Sequence, residues 1–117
     1  NNLLMLPPIQ HTILFNNNET PLALDTVKNK KALHILRAIN HPLRLSILQL
    51  IDVNKRMTVT EIHTHFKIEQ AIASQHLAIL RRAGFVSTKK ESKFVYYTLS
   101  YHFIQHFSKT IEVMVNS

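Results

Sequence analysis

Residues 70–83, QAIASQHLAILRRA, place small and polar side chains at the spacing a helix turns to one side: Ala71, Ser74, Gln75, Ala78 and Arg82, with Gln70 at the start. Ala73, Leu77 and Leu80 recur at helical spacing and form the opposite, inward stripe. Small side chains let a helix approach base edges closely, and a glutamine such as Gln75 can hydrogen-bond an adenine. Arg81 and Arg82 can reach phosphate, as can Lys89, Lys90 and Lys93 a few residues on. The chemistry offered is recognition of double-stranded DNA, with no bond made or broken.

Composition points the same way. The 117 residues carry 14 Lys plus Arg against 7 Asp plus Glu, a formal net charge of +7. The excess is concentrated between residues 54 and 99, where Lys55, Arg56, Lys67, Arg81, Arg82, Lys89, Lys90 and Lys93 face only Glu61, Glu69 and Glu91. A basic surface suits a polyanion, because each phosphate neutralised releases condensed counterions. Catalysis is disfavoured: no Ser/His/acid set or glycine-rich phosphate loop can be assembled, and there is no cysteine nucleophile. The absence of cysteine also removes disulfides and thiolate metal sites and fits the cytoplasm. Neither a membrane span nor a signal peptide is expected, since no run of eighteen apolar residues and no basic n-region is present.

The elements that must position these residues can be read along the chain. Residues 1–24 form an N-terminal arm interrupted by Pro7, Pro8, the Asn16 to Asn18 run and Pro21, although Leu3 to Leu6 and Ile13 to Phe15 are apolar enough to want burial. Residues 25–117 form the single domain. Its first helix is capped by Asp25 or Thr26 and runs to Ile39, with Ala32, Ile35, Leu36 and Ile39 on one face and Leu33 widening it. Pro42 suits the first position of a central helix, Leu43 to Asp52. Thr58 or Thr60 caps a third helix that turns Val59, Ile62 and Phe66 inward, and Lys67 to Glu69 is a turn into the helix beginning near Gln70.

Gly84, the only glycine, follows that helix where a left-handed residue ends it. Phe85 to Lys89 and Phe94 to Leu99 read as strands of a hairpin whose tip is Lys90 to Lys93, with Val95, Tyr97 and Leu99 inward and Tyr96 and Thr98 outward. The last helix, Tyr101 to Val115, carries Phe103, Phe107, Ile111 and Met114 on one face and Ile104 beside them. The fold class is mainly α with a small β-hairpin, in the order of a winged helix-turn-helix. So apolar a terminal helix in so small a domain predicts an isologous homodimer built from the first and last helices, through Leu36, Ile39, Phe103, Phe107, Ile111 and Met114.

The segments LRAINHPLRLSILQLI, TVTEIHTHFKIEQAIASQHLAILRRAGFVSTKK and SKFVYYTLS together resemble the ArsR/SmtB family of bacterial transcriptional repressors over roughly residues 30 to 112. The most specific parts are His41-Pro42-Leu43-Arg44, Ser74-Gln75-His76-Leu77 and Val95 to Leu99. The resemblance implies a homodimeric repressor that binds an imperfect inverted repeat and leaves DNA when an inducer, often a metal ion, binds. It also implies polar contacts to DNA from Gln70, Ser74, Gln75 and His76.

The departures concern the inducer. Where thiolate-sensing members carry Cys-x-Cys, this chain has Thr58, Val59 and Thr60, and His63 fills a further cysteine position. Hydroxyls do not replace thiolates for soft metals. The last-helix zinc site of other members wants an Asp where Ser100 stands before His102, and its later positions fall on Val113 and Asn116. His102 and His106 are four apart on one flank, the spacing of two ligands, but Glu112 points away from them. His63 and His65 diverge on their helix, and His76 is open to packing or to a phosphate contact. The family's wing turn often has glycine where Ser92 stands, which leaves the turn type open. No cofactor is expected, and the inducer is not legible. Two alternatives stand beside the repressor: a metal-responsive version using His102 and His106, and a winged-helix protein-interaction module, for which Ile72 and Ile79 at the border of the outward face are the best evidence.

Overall fold

The computed structural model describes residues 11–16 and 21–116, and the chain divides into two compact units, residues 1–34 and 35–117. In the first unit β1 (Thr12–Phe15) pairs antiparallel with β2 (Leu22–Asp25), Thr12 opposite Asp25 and Phe15 opposite Leu22. The arm expected over residues 1–24 thus contains β1 and all of β2 but its last residue, Asp25. Ile13, Leu14 and Phe15, expected to seek burial, are exposed. The expectation for Leu3 to Leu6 lies outside the described residues. Helix α1 (Thr26–Ile39) starts where Asp25 Oδ1 accepts from the backbone N–H of Val27 and Lys28, each at 3.0 Å. Asp25 is therefore the cap.

The second unit is built on α2 (Pro42–Asn54), α3 (Val59–Phe66), α4 (Gln70–Ala83), the hairpin β3 (Val86–Glu91) and β4 (Phe94–Leu99), and α5 (Tyr101–Val115). Helix α2 starts one residue earlier and ends two later than the apolar run suggests, because Pro42 takes N1 and His41 Nδ1 caps by accepting from Leu43 N–H at 3.2 Å. Ile47 and Ile51 from α2, Ile62 from α3, and Ala73, Leu77 and Leu80 from α4 are completely buried. Phe85 joins them at 1 % exposure and meets the rings of Phe103 and Phe107 edge-on at 5.1 and 5.3 Å. In α1 the fully buried residue is Ala38, with Ile35 and Ile39 packed on the core, whereas Ala32 and Leu33 are exposed.

The hairpin differs from its sequence reading in its bounds and in which side chains it buries, Thr98 being half-buried where it was expected outward. Phe85 belongs to the core and precedes β3, which extends through Lys90 to Glu91 and leaves a two-residue turn at Ser92 and Lys93. Ser92 has φ of +58°, which explains why glycine suits that position. Val95, expected inward, is 43 % exposed: it pairs with Lys90 near the tip, beyond the core, so alternation has nothing to bury it against. Tyr96, expected outward, is half-buried because the Arg56 guanidinium lies 4.1 Å over its ring. The base of the hairpin is held by Met57, whose N–H donates to Tyr97 O at 3.1 Å and whose carbonyl accepts from Tyr97 N–H at 2.7 Å. Two helices joined by a tight turn and followed by this pinned hairpin make a winged helix-turn-helix. Among the described residues no helix is long and apolar enough to cross a membrane.

Candidate nucleic-acid interface

Helix α4 is positioned from both ends. Upstream, Thr58 and Glu61 close a reciprocal capping box on α3: Glu61 N–H donates to Thr58 Oγ1 at 3.2 Å and Thr58 N–H donates to Glu61 Oε1 at 2.9 Å. The turn reaches α4 through Lys67 in the left-handed region at φ +55°, and His63 is engaged there, its Nδ1 3.2 Å from Ile68 O. The carbonyl can only accept, so His63 Nδ1 carries the proton. Downstream, Gly84 ends the helix at φ +104° and donates its N–H to Leu80 O and Arg81 O.

With Ala73, Leu77 and Leu80 fully buried, the opposite side of α4 leaves Gln70, Ala71, Ser74, Gln75, Arg81 and Arg82 exposed. Ile72 is exposed beside them, while Ile79 packs against the core. His76 does not share this exposure. Its Nδ1 is 3.2 Å from Arg44 Nη1 and its ring centroid 5.0 Å from that of His41. Burial first, then the electrostatic influence of the neighbouring His41 and of the Arg44 guanidinium, hold His76 below the ordinary imidazole range. Neither His41 nor Arg44 was expected to bear on this helix.

The wing lysines are not equivalent. Strand alternation puts Lys90 on the face opposite Lys89 and Glu91. Lys89 Nζ lies 3.7 Å from Glu91 Oε1, while Glu91 Oε2 accepts from Arg56. That hydrogen bond, with the Arg56 charge, holds Glu91 below the usual carboxylate range and raises Arg56. Lys93 Nζ sits 5.5 Å over the exposed Phe94 ring.

Of the residues expected at a dimer contact, Leu36, Ile39 and Ile111 are half-buried and Met114 is exposed. Phe103 and Phe107 are already half-buried against Phe85 of their own chain, so part of the α5 stripe fills the core that it was expected to leave for a second copy. An open groove of about 510 Å³ runs beside them, lined by Ile39, Leu45, Leu48, Tyr101, Ile104 and Ile111 among others. His102 and His106 are exposed on α5, and no cluster of three metal-ligating side chains occurs among the described residues.

Comparison with known proteins gives the family. The model of the arsR family of bacterial regulatory proteins matches residues 41–88. The transcriptional repressor SdpR of Bacillus subtilis is 36 % identical over 67 residues, 57 % of this chain and 73 % of SdpR. The chain belongs to the arsR family. The transcriptional activator HlyU of Vibrio cholerae is 41 % identical to this arsR-family chain over 70 residues, 60 % of the chain and 64 % of HlyU. The solved structure of that HlyU superposes with a TM-score of 0.58 at 32 % identity, covering 77 % of this chain and 97 % of the HlyU chain. The family is one of transcriptional regulators, not enzymes, and its matched segment spans the HPLR motif, both helices of the helix-turn-helix and the start of the wing.

Proposed function

We propose that this arsR-family chain is a sequence-specific, double-stranded-DNA-binding transcription regulator of the cytoplasm, acting as a homodimer on an inverted-repeat operator. The observation that carries the reading is the two-sidedness of α4: Ala73, Leu77 and Leu80 are completely buried while Ser74, Gln75, Arg81 and Arg82 face solvent. Laid in a major groove, that outer face offers Gln75 and Ser74 to base edges, Ile72 to a thymine methyl group, and Arg81 and Arg82 to phosphate. The wing adds Lys89, Lys90 and Lys93 along the backbone.

A dimer through α1 and α5 uses the surface that the chain leaves open, from Leu36 and Ile39 to Ile111 and Met114, and sets two recognition helices about 34 Å apart, one DNA turn. We read the outcome as repression, which occupancy of a promoter produces without any contact to polymerase. The exposed His102 and His106 supply two imidazoles, short of the three or four ligands of a tight zinc site, so the reading includes no resident metal. An electrophoretic shift assay with the promoter upstream of the protein's own gene tests it. A discrete complex that resists random competitor is expected, and equal competition by random and promoter DNA overturns the reading.

A further inference from the structure

The HPLR motif at residues 41–44 has no task in the interface described above, yet its two basic side chains reach the recognition helix. Arg44 sits at the junction of three helices. Its Nε donates to Ala38 O at 2.6 Å, its Nη2 to Arg37 O at 3.0 Å, and its Nη1 lies 3.2 Å from His76 Nδ1. The first two bonds satisfy carbonyls in the last turn of α1, where a cation is also favoured by the helix dipole. The third ties that fixed guanidinium to α4. A guanidinium has donors only, so His76 Nδ1 must accept, and the neutral ring carries its proton on Nε2. His41, whose Nδ1 accepts from Leu43 N–H, closes the group from the N-terminus of α2.

Apolar packing of Ala73, Leu77 and Leu80 presses α4 onto the core but is non-directional. The buried stripe chooses the inward face of α4, and a directional contact at the edge of that stripe narrows its rotation further; His76 occupies that edge, next to Gln75. We propose that Arg44 is a positioning residue for base recognition: by holding His76 in its Nε2-protonated form, it fixes the rotation of α4 that presents Ser74 and Gln75. The proposal rests on the DNA-binding reading and adds to it a residue that acts through His76.

Two readouts test it, one without DNA. Long-range nitrogen–proton correlation spectra of 15N-labelled full-length protein report the protonation of each His76 ring nitrogen. At neutral pH the wild type is expected to show Nε2 protonated and Nδ1 bare, and Arg44→Met a mixture of both tautomers. In DNA binding, Arg44→Met is expected to lose about tenfold in its preference for operator over random DNA. Arg44→Lys keeps the charge but not the three-way fork, and is expected to bind random DNA as the wild type does without recovering that preference.

If Arg44→Met fails to fold, His76→Leu removes the acceptor while leaving both ties to α1, and the same loss of preference is expected. An Nδ1-protonated His76 in the wild type overturns the proposal, as does an unchanged operator preference in folded Arg44→Met or in His76→Leu. A wild type with the expected tautomer that binds operator and random DNA alike overturns the DNA-binding reading itself, and with it any role for Arg44 in base recognition.

Discussion

The Cβ that any other residue would carry at Gly84 falls 3.2 Å from Cζ of the Phe103 ring. That ring cannot swing away cheaply, because it is packed edge-on against the buried Phe85. The backbone at φ +104° adds its own penalty for a side chain. Gly84→Ala is therefore expected to lower stability by about 2 kcal/mol or more in urea denaturation, combining the strain of a left-handed residue with overpacking. A loss below about 0.5 kcal/mol would mean that α5 does not hold its place against the end of α4.

At the wing tip the opposite substitution should help. Ser92 is held at φ +58°, where a side chain is disfavoured and glycine is not. Ser92→Gly is expected to raise stability by up to about 1 kcal/mol, less the extra flexibility of glycine in the unfolded chain. A destabilised variant would show that the serine side chain makes an interaction worth more than the strain.

Salt dependence of DNA binding should separate the three wing lysines. A lysine that neutralises one phosphate adds about 0.9 to the slope of log affinity against log salt, and its removal takes that share away. Lys90→Ala and Lys93→Ala are expected to approach that change. Lys89→Ala is expected to fall short of it, since Lys89 already has Glu91 at 3.7 Å. Equal slopes for Lys89→Ala and Lys90→Ala would contradict this ranking, and slopes unchanged in all three would place the wing tip in solvent.

His76 should leave a mark on acid stability. Its folded pKa lies below the ordinary imidazole value, so the unfolded chain takes the proton first as pH falls. The associated stability is intact above about pH 6.5 and declines from there down to the folded pKa. Thermal melts between pH 7.5 and 5.5 are expected to show a falling Tm, with His76→Gln removing part of the fall because glutamine does not titrate. An identical pH dependence in wild type and variant would show that the ring is not held neutral.

Much of this framework was legible in local sequence. The stripe of Ala73, Leu77 and Leu80, a threonine cap for α3 that the sequence left between Thr58 and Thr60, and the lone Gly84 after a helical run each follow from stereochemistry within one or two turns. What escaped depends on residues far apart in the chain. Arg44 meets His76 across 32 positions, and Arg56 meets Glu91 across 35, distances at which no periodicity speaks. Val95 shows a related limit: alternation identifies a face, but whether a core lies beneath it is a tertiary fact. His41 acting as an N-cap was missed because an imidazole acceptor is outside the usual set of Ser, Thr, Asp and Asn.

The central claim is that the outward face of α4 reads bases, and Gln75→Ala addresses it most directly. Binding of wild type and variant to operator and to random DNA, measured at one salt concentration, should show the variant weakened on operator by about 1 to 3 kcal/mol and nearly unchanged on random sequence. Equal losses on both DNAs, or no loss on either, would contradict base reading by this helix.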